Sequence, residues 1–154
     1  MDQGASILRL VKGYATRMKQ VAPQNASVLI VDDEESVRKF VVRVLTDAGY
    51  RTSLAADGPQ AIEVAATLDR LDVLLTDVMM PHMQGDELAR QLRQREPSLK
   101  VLYLTGYSDR LFKDKITLWE DEAFLDKPCS VKGLLQAMSL LLYGRFEQPK
   151  ESTS

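Results

Sequence analysis

From Ser27 onward, short apolar runs alternate with longer amphipathic ones, about five times over. The runs Ser27-Val-Leu-Ile-Val31, Asp72-Val-Leu-Leu-Thr76 and Lys100-Val-Leu-Tyr-Leu104 are apolar on successive residues and rich in branched side chains. Strands read this way when both faces of their sheet are covered. Arg51 to Ala55 and Ala123 to Leu125 carry less of this signal and complete a set of five candidates. Between the first two runs, Val37, Phe40, Val41, Val44, Leu45 and Ala48 repeat at helical spacing and predict one buried face, with Gly49 as its stop. Asp57-Gly58-Pro59 predicts a helix start, a capping Asp followed by an early Pro, ahead of Ala61, Ile62, Ala65 and Leu68. A third helix follows Gly85 through Leu88 and Leu92 and closes before Pro97. A last one turns Val131, Leu134, Leu135, Met138, Leu141 and Leu142 inward. Asp109 to Trp119 reads as a further helix with apolar residues on more than one face. Alternating strands and crossover helices predict an α/β fold, a five-stranded parallel sheet with helices on both sides.

Composition narrows what such a fold can do here. The 154 residues are 45% hydrophobic and 27% charged, which suits one globular domain with short extensions and leaves no expected room for a DNA-binding output domain. The net charge of -2 disfavours general coating of nucleic acid or anionic membrane. One cysteine, Cys129, and one histidine, His82, exclude an internal disulfide and a His-rich metal site. No apolar stretch approaches the roughly 20 residues that span a bilayer, and basic residues interrupt the N-terminus where a signal peptide needs an apolar core. A cytoplasmic protein is expected. Residues 1 to 24 carry four basic residues against one acid, unlike the acidic remainder, and set a boundary near Pro23.

Ligands of an open parallel sheet bind beyond the carboxyl ends of its strands. There the sequence puts Asp32-Asp33 after the first strand, Asp77 after the third, Thr105 after the fourth and Asp126-Lys127-Pro128 after the fifth. Three carboxylates on one rim repel unless a cation neutralises them, and hard divalent ions suit oxygen ligands. Mg2+ is therefore the expected cofactor. A carboxylate beside Mg2+, with an ammonium and a hydroxyl at hand, is equipped for phosphoryl chemistry, with the carboxylate as nucleophile. Asp77, on the central strand, is the best nucleophile candidate. No G-x-x-x-x-G-K-[ST] or G-x-G-x-x-G occurs, so the phosphoryl group is expected from a donor other than a bound nucleotide.

Val28-Leu-Ile-Val-Asp-Asp-Glu34, Thr76-Asp-Val-Met-Met-Pro-His-Met-Gln-Gly85, Leu104-Thr-Gly-Tyr107 and Phe124-Leu-Asp-Lys-Pro128 together resemble the receiver domain of two-component response regulators. The resemblance covers about residues 26 to 145. It divides the chain into an N-terminal helical extension or linker over 1–24, a receiver domain over 25–146 and a flexible tail over 147–154. It implies a doubly wound, flavodoxin-like sheet of order 2-1-3-4-5. It implies that Asp77 accepts a phosphoryl group from a phosphohistidine on a sensor histidine kinase or histidine phosphotransfer protein. Asp33, Asp77 and the main-chain carbonyl of Met79 would ligate Mg2+, with Asp32 assisting mainly through water. Lys127 and the hydroxyl of Thr105 would bind phosphoryl oxygens. Phe124 would report the movement of Thr105, although Phe at this position lacks the hydroxyl of a Tyr. The output would be a downstream protein target, or a homodimer through the face of the fourth helix, fifth strand and fifth helix, with no direct nucleic-acid contact. Gly106-Tyr107 and Gly85-Asp-Glu-Leu-Ala89 give it the look of receivers attached to hybrid kinases.

Two alternatives stand beside this reading. A phosphatase of the haloacid-dehalogenase type also uses an Asp nucleophile, Mg2+, Thr and Lys, but wants a D-x-D-x motif at its first strand that is missing here. A purely structural interaction module would never take phosphate. Among single residues, Asp57 and Asp109 read as helix caps, His82 as an exposed loop imidazole, and Cys129 as a small filler. Met79 and Tyr107 flank the approach to Asp77, an arrangement that would restrict attacking water. Ile7, Val11, Tyr14, Met18 and Val21 form an a/d stripe about two heptads long, short for independent pairing.

Overall fold

The computed structural model describes residues 25–106 and 121–143. The N-terminal stripe, the Asp109–Trp119 helix, Tyr107 and the tail lie outside them. Among the described residues the elements are β1 (Ser27–Val31), α1 (Glu35–Asp47), β2 (Arg51–Ala55), α2 (Gly58–Ala66), β3 (Val73–Asp77), α3 (Gly85–Arg93), β4 (Lys100–Thr105), β5 (Glu122–Asp126) and α4 (Val131–Tyr143). The five strands form one sheet in the order β2-β1-β3-β4-β5, and every neighbouring pair is parallel. No described helix is long and apolar enough to cross a membrane.

The continuous apolar runs have the cause expected of them. Successive strand residues face opposite sides, and both sides are covered. Leu29, Val31 and Leu74 pack on one side against Ala61 and Ala65 of α2 and Leu88 and Leu92 of α3. Val28, Ile30, Val73 and Leu75 pack on the other against Val41, Val44 and Leu45 of α1 and Leu134, Met138 and Leu141 of α4. The central strands β1 and β3 are buried throughout, whereas β2 and β5 are the outer strands and keep partial exposure. Their outer position explains why those two strands are the least apolar in the sequence.

Helix ends follow local chemistry. Gly49 sits at φ 99°, a left-handed geometry that costs glycine least, and Tyr50 N donates to Leu45 O at 3.0 Å across it. Asp57 caps α2 by accepting from Gln60 N at 2.8 Å, as its position before Gly58-Pro59 predicts. Three expectations need correction. Phe40 and Val131 are 37% and 51% exposed, and Ala48 is exposed as well. The predicted apolar stripes are wider than the strip of helix that contacts the sheet, and Ala48 and Val131 lie at helix ends. The strands also run one residue further than read: Asp77 and Thr105 are the last residues of β3 and β4 rather than the first beyond them.

Candidate functional site

Strand register assembles the rim. Val31 pairs with Thr76, so the next step along the chains brings Asp32 level with Asp77. On the other side Asp77 pairs with Leu104, and Thr105 pairs with Asp126. With neighbouring strands about 4.8 Å apart, four polar side chains, one from each of four strand ends, share one edge of the sheet.

Asp32 and Asp77 are buried and Asp33 is exposed. One carboxylate oxygen from each lies within 4.8 Å of the others. Lys127 Nζ enters this group, 2.7 Å from Asp32 Oδ2, 3.4 Å from Asp77 Oδ2 and 3.9 Å from Glu34 Oε1. Burial, the charge of Asp32 and a hydrogen bond with Asp33 push the Asp77 carboxyl up to about 7 against the pull of Lys127. Burial alone would lower Lys127, but Asp32 and Asp77 outweigh it and hold the ammonium up. The pocket therefore carries more negative charge than one ammonium balances. An all-oxygen donor set of this kind fits a hard divalent cation such as Mg2+.

Neighbouring contacts hold these groups in place. Asp32 Oδ1 accepts from Glu34 N at 2.9 Å, and Arg38 Nη1 donates to Asp32 O at 2.6 Å, which ties the acid turn to α1. Sequence patterns give no warning of Arg38, because its contact depends on where the turn places a backbone carbonyl. Thr105 is buried, and its Oγ1 donates to Asp126 Oδ1 at 2.8 Å. In the sequence Asp126 stands out only as the neighbour of Lys127. The Lys127–Pro128 peptide is cis. Phe124 is half-buried, with its ring 5.4 Å from that of Tyr103. Burial pushes the Cys129 thiol up, in keeping with a filler rather than a reactive thiolate.

The loop after Asp77 is closed by two backbone bonds, Val78 N to Leu104 O and Gly85 N to Val78 O. Met79 is 47% exposed while Met80 is buried, so the apolar loop residues do not act as one patch. A Cβ on Gly85 would stand 2.3 Å from the carbonyl oxygen of Asp77. That oxygen belongs to a central strand and cannot give way. Gly85→Ala is therefore expected to cost about 2 kcal/mol, as overpacking does, read as a lower urea midpoint at unchanged slope. His82 sits at φ 73°, exposed. A left-handed non-glycine residue is strained, and glycine's extra chain entropy offsets part of the relief. His82→Gly is expected to stabilise the fold by about 0.5 kcal/mol in the same titration.

The sequence model of the response regulator receiver domain matches residues 28–139. The chain belongs to that family. Its receiver domain is 36% identical over 119 residues to the sensor kinase CckA of Brucella abortus, covering 77% of this chain and 13% of that protein. It is 38% identical over 117 residues to the response regulator MprA of Mycobacterium ulcerans, covering 75% of this chain and 49% of that one. The chain thus spans about half the length of MprA and a small part of CckA. Among solved structures, the chemotaxis response regulator CheY4 of Vibrio cholerae superposes with a TM-score of 0.66 at 33% identity, covering 77% of this chain and 99% of that one. Receiver domains act as phosphoacceptor signalling modules, not as classical enzymes. They bind Mg2+ at an acidic pocket and interact with histidine kinases or phosphotransfer proteins and with downstream targets. The dehalogenase-type phosphatase and the unphosphorylated module find no support among the matches.

Proposed function

We propose that this receiver, over residues 25–146, takes a phosphoryl group on Asp77 from the phosphohistidine of a sensor histidine kinase or phosphotransfer protein in the cytoplasm. The observation that carries the reading is the buried Asp77 carboxylate held between Lys127 and the Asp32–Asp33 pair. An Asp77 oxygen attacks phosphorus, and the O–P bond forms as the P–N bond breaks. The departing imidazole nitrogen keeps the electron pair and takes a proton from water. Lys127, already at Asp77, meets a phosphoryl oxygen and balances the charge spread over the equatorial oxygens. Asp33, Asp77 and the Met79 carbonyl would hold Mg2+, with Asp32 assisting. When bound, the ion neutralises phosphoryl charge and keeps Asp77 ionised.

Thr105 and Phe124 then carry the change outward. The hydroxyl turns to a phosphoryl oxygen, and the ring of Phe124 follows the space it leaves. The exit is a downstream protein target or a second copy through the face that includes β5 and α4. Hydrolysis of the aspartyl phosphate returns the resting state, with Met79 limiting water. The test is intact mass after incubation with Mg2+ and acetyl phosphate. One added phosphoryl group, mapped to Asp77 by borohydride reduction, is expected, and an adduct elsewhere or none at all overturns the assignment.

A further inference from the structure

Thr105 has one hydroxyl proton to give, and a carboxylate can only accept. At 2.8 Å from Asp126 Oδ1, the hydroxyl is therefore the donor, and its proton points at Asp126 rather than at Asp77. Register builds this contact: Thr105 and Asp126 are direct partners at the ends of β4 and β5. A backbone bond from Lys127 N to Thr105 O at 2.8 Å ties the same two segments together. The Thr105 side chain is buried, so an acceptor inside the protein has to satisfy it, and the carboxylate at the exposed end of β5 does so.

We infer that Asp126 is a positioning residue that holds the Thr105 hydroxyl off the acceptor site until a phosphoryl group competes for its proton. The inference rests on the reading of Asp77 as acceptor and Thr105 as phosphoryl ligand. A hydrogen bond to an ionised acceptor is stronger than one to a neutral group. The incoming phosphoryl group must therefore displace a charge-assisted bond, and part of its interaction with Thr105 is offset by that loss. One donor with two competing acceptors gives two discrete states, and the strength of the resting bond sets their ratio before phosphorylation. A side chain without an acceptor at position 126 would leave the hydroxyl free to serve the phosphoryl group at once.

The experiment titrates the intact chain with beryllofluoride, a phosphoryl mimic, in saturating Mg2+, following the bound fluorine signal by NMR. The proteins are wild type, Asp126→Ala, Asp126→Asn, Thr105→Val and the Thr105→Val/Asp126→Ala double variant. Asp126→Ala is expected to tighten beryllofluoride about tenfold, the scale of one hydrogen bond to a charged group. Asp126→Asn, which keeps a neutral acceptor, tightens it less. In the Thr105→Val background the Ala substitution has no effect, which separates the latch from simple removal of a negative charge. For Asp126→Ala, Mg2+ affinity without the mimic stays close to wild type, while the urea midpoint falls, because the buried Thr105 hydroxyl loses its acceptor. Equal tightening in both backgrounds, equal effects of Asn and Ala, or no tightening at all overturns the latch while the acceptor reading stands. A wild-type chain that takes up no beryllofluoride overturns both.

Discussion

Asp77→Asn is expected to abolish phosphoryl uptake completely and, without divalent cation, to make the folded chain more stable above about pH 7. The loss follows from chemistry: the amide has no anionic oxygen with which to attack phosphorus. The gain follows from the cost of the native carboxylate. Asp77 titrates near 7 in the fold against an ordinary value of 3.8, because burial and Asp32 both oppose its charge. The folded chain thus keeps a proton that the unfolded chain has already released. The stability this group lends is full below pH 3.8 and lost as pH rises through about 7. Asn removes that loss and leaves Lys127 paired with Asp32 at 2.7 Å. A gain of about 2 kcal/mol at about pH 8 is expected from urea melts in EDTA, with a flatter pH profile than wild type. Saturating Mg2+ is expected to stabilise wild type and narrow the difference, since the cation favours the ionised carboxylate. A variant that still gains phosphate mass, or that is less stable than wild type at both pH 5 and pH 8, contradicts this account.

Lys127→Ala is expected to slow uptake from acetyl phosphate by about 10²–10³-fold, the usual cost of losing one fixed partner of the developing charge. The same substitution is expected to tighten Mg2+. The ammonium lies 2.7 Å from Asp32 and 3.4 Å from Asp77, so it competes with a cation for the same oxygens. Weaker phosphorylation with stronger metal binding is a split that general unfolding cannot produce, because unfolding would lower both. Lys127→Arg keeps the charge but brings a planar fork into a pocket shaped around a compact ammonium. It is expected to recover only part of the rate. Initial rates by intact mass and Mg2+ titration by calorimetry check the pair of effects.

The rim shows why some parts of this protein are legible in its sequence. Asp32, Asp33, Asp77, Thr105 and Lys127 could be placed together from sequence because each ends a strand or follows its end within two residues, and a parallel sheet brings strand ends to one edge. Asp57 could be read as a cap because its chemistry is local, acting on a backbone N–H three residues away. Arg38 and Asp126 could not be read. Arg38 acts on a carbonyl six residues back across a turn, and Asp126 acts on a hydroxyl 21 residues away. Phe40 and Val131 have helical spacing but lie off the strip of helix that meets the sheet.

Sequence alone determined the sheet, its covered faces, the order of its elements and the residues at its carboxyl edge. Periodicity and turn chemistry are properties of neighbouring residues, and the chain carries them wherever it folds. Only the tertiary structure decided which side chains hold one another at that edge. Register sets Asp32 against Asp77 and Thr105 against Asp126, and burial at that depth raises the Asp77 carboxyl. Those are distances and solvation between segments far apart in sequence, and they exist only once the strands are side by side.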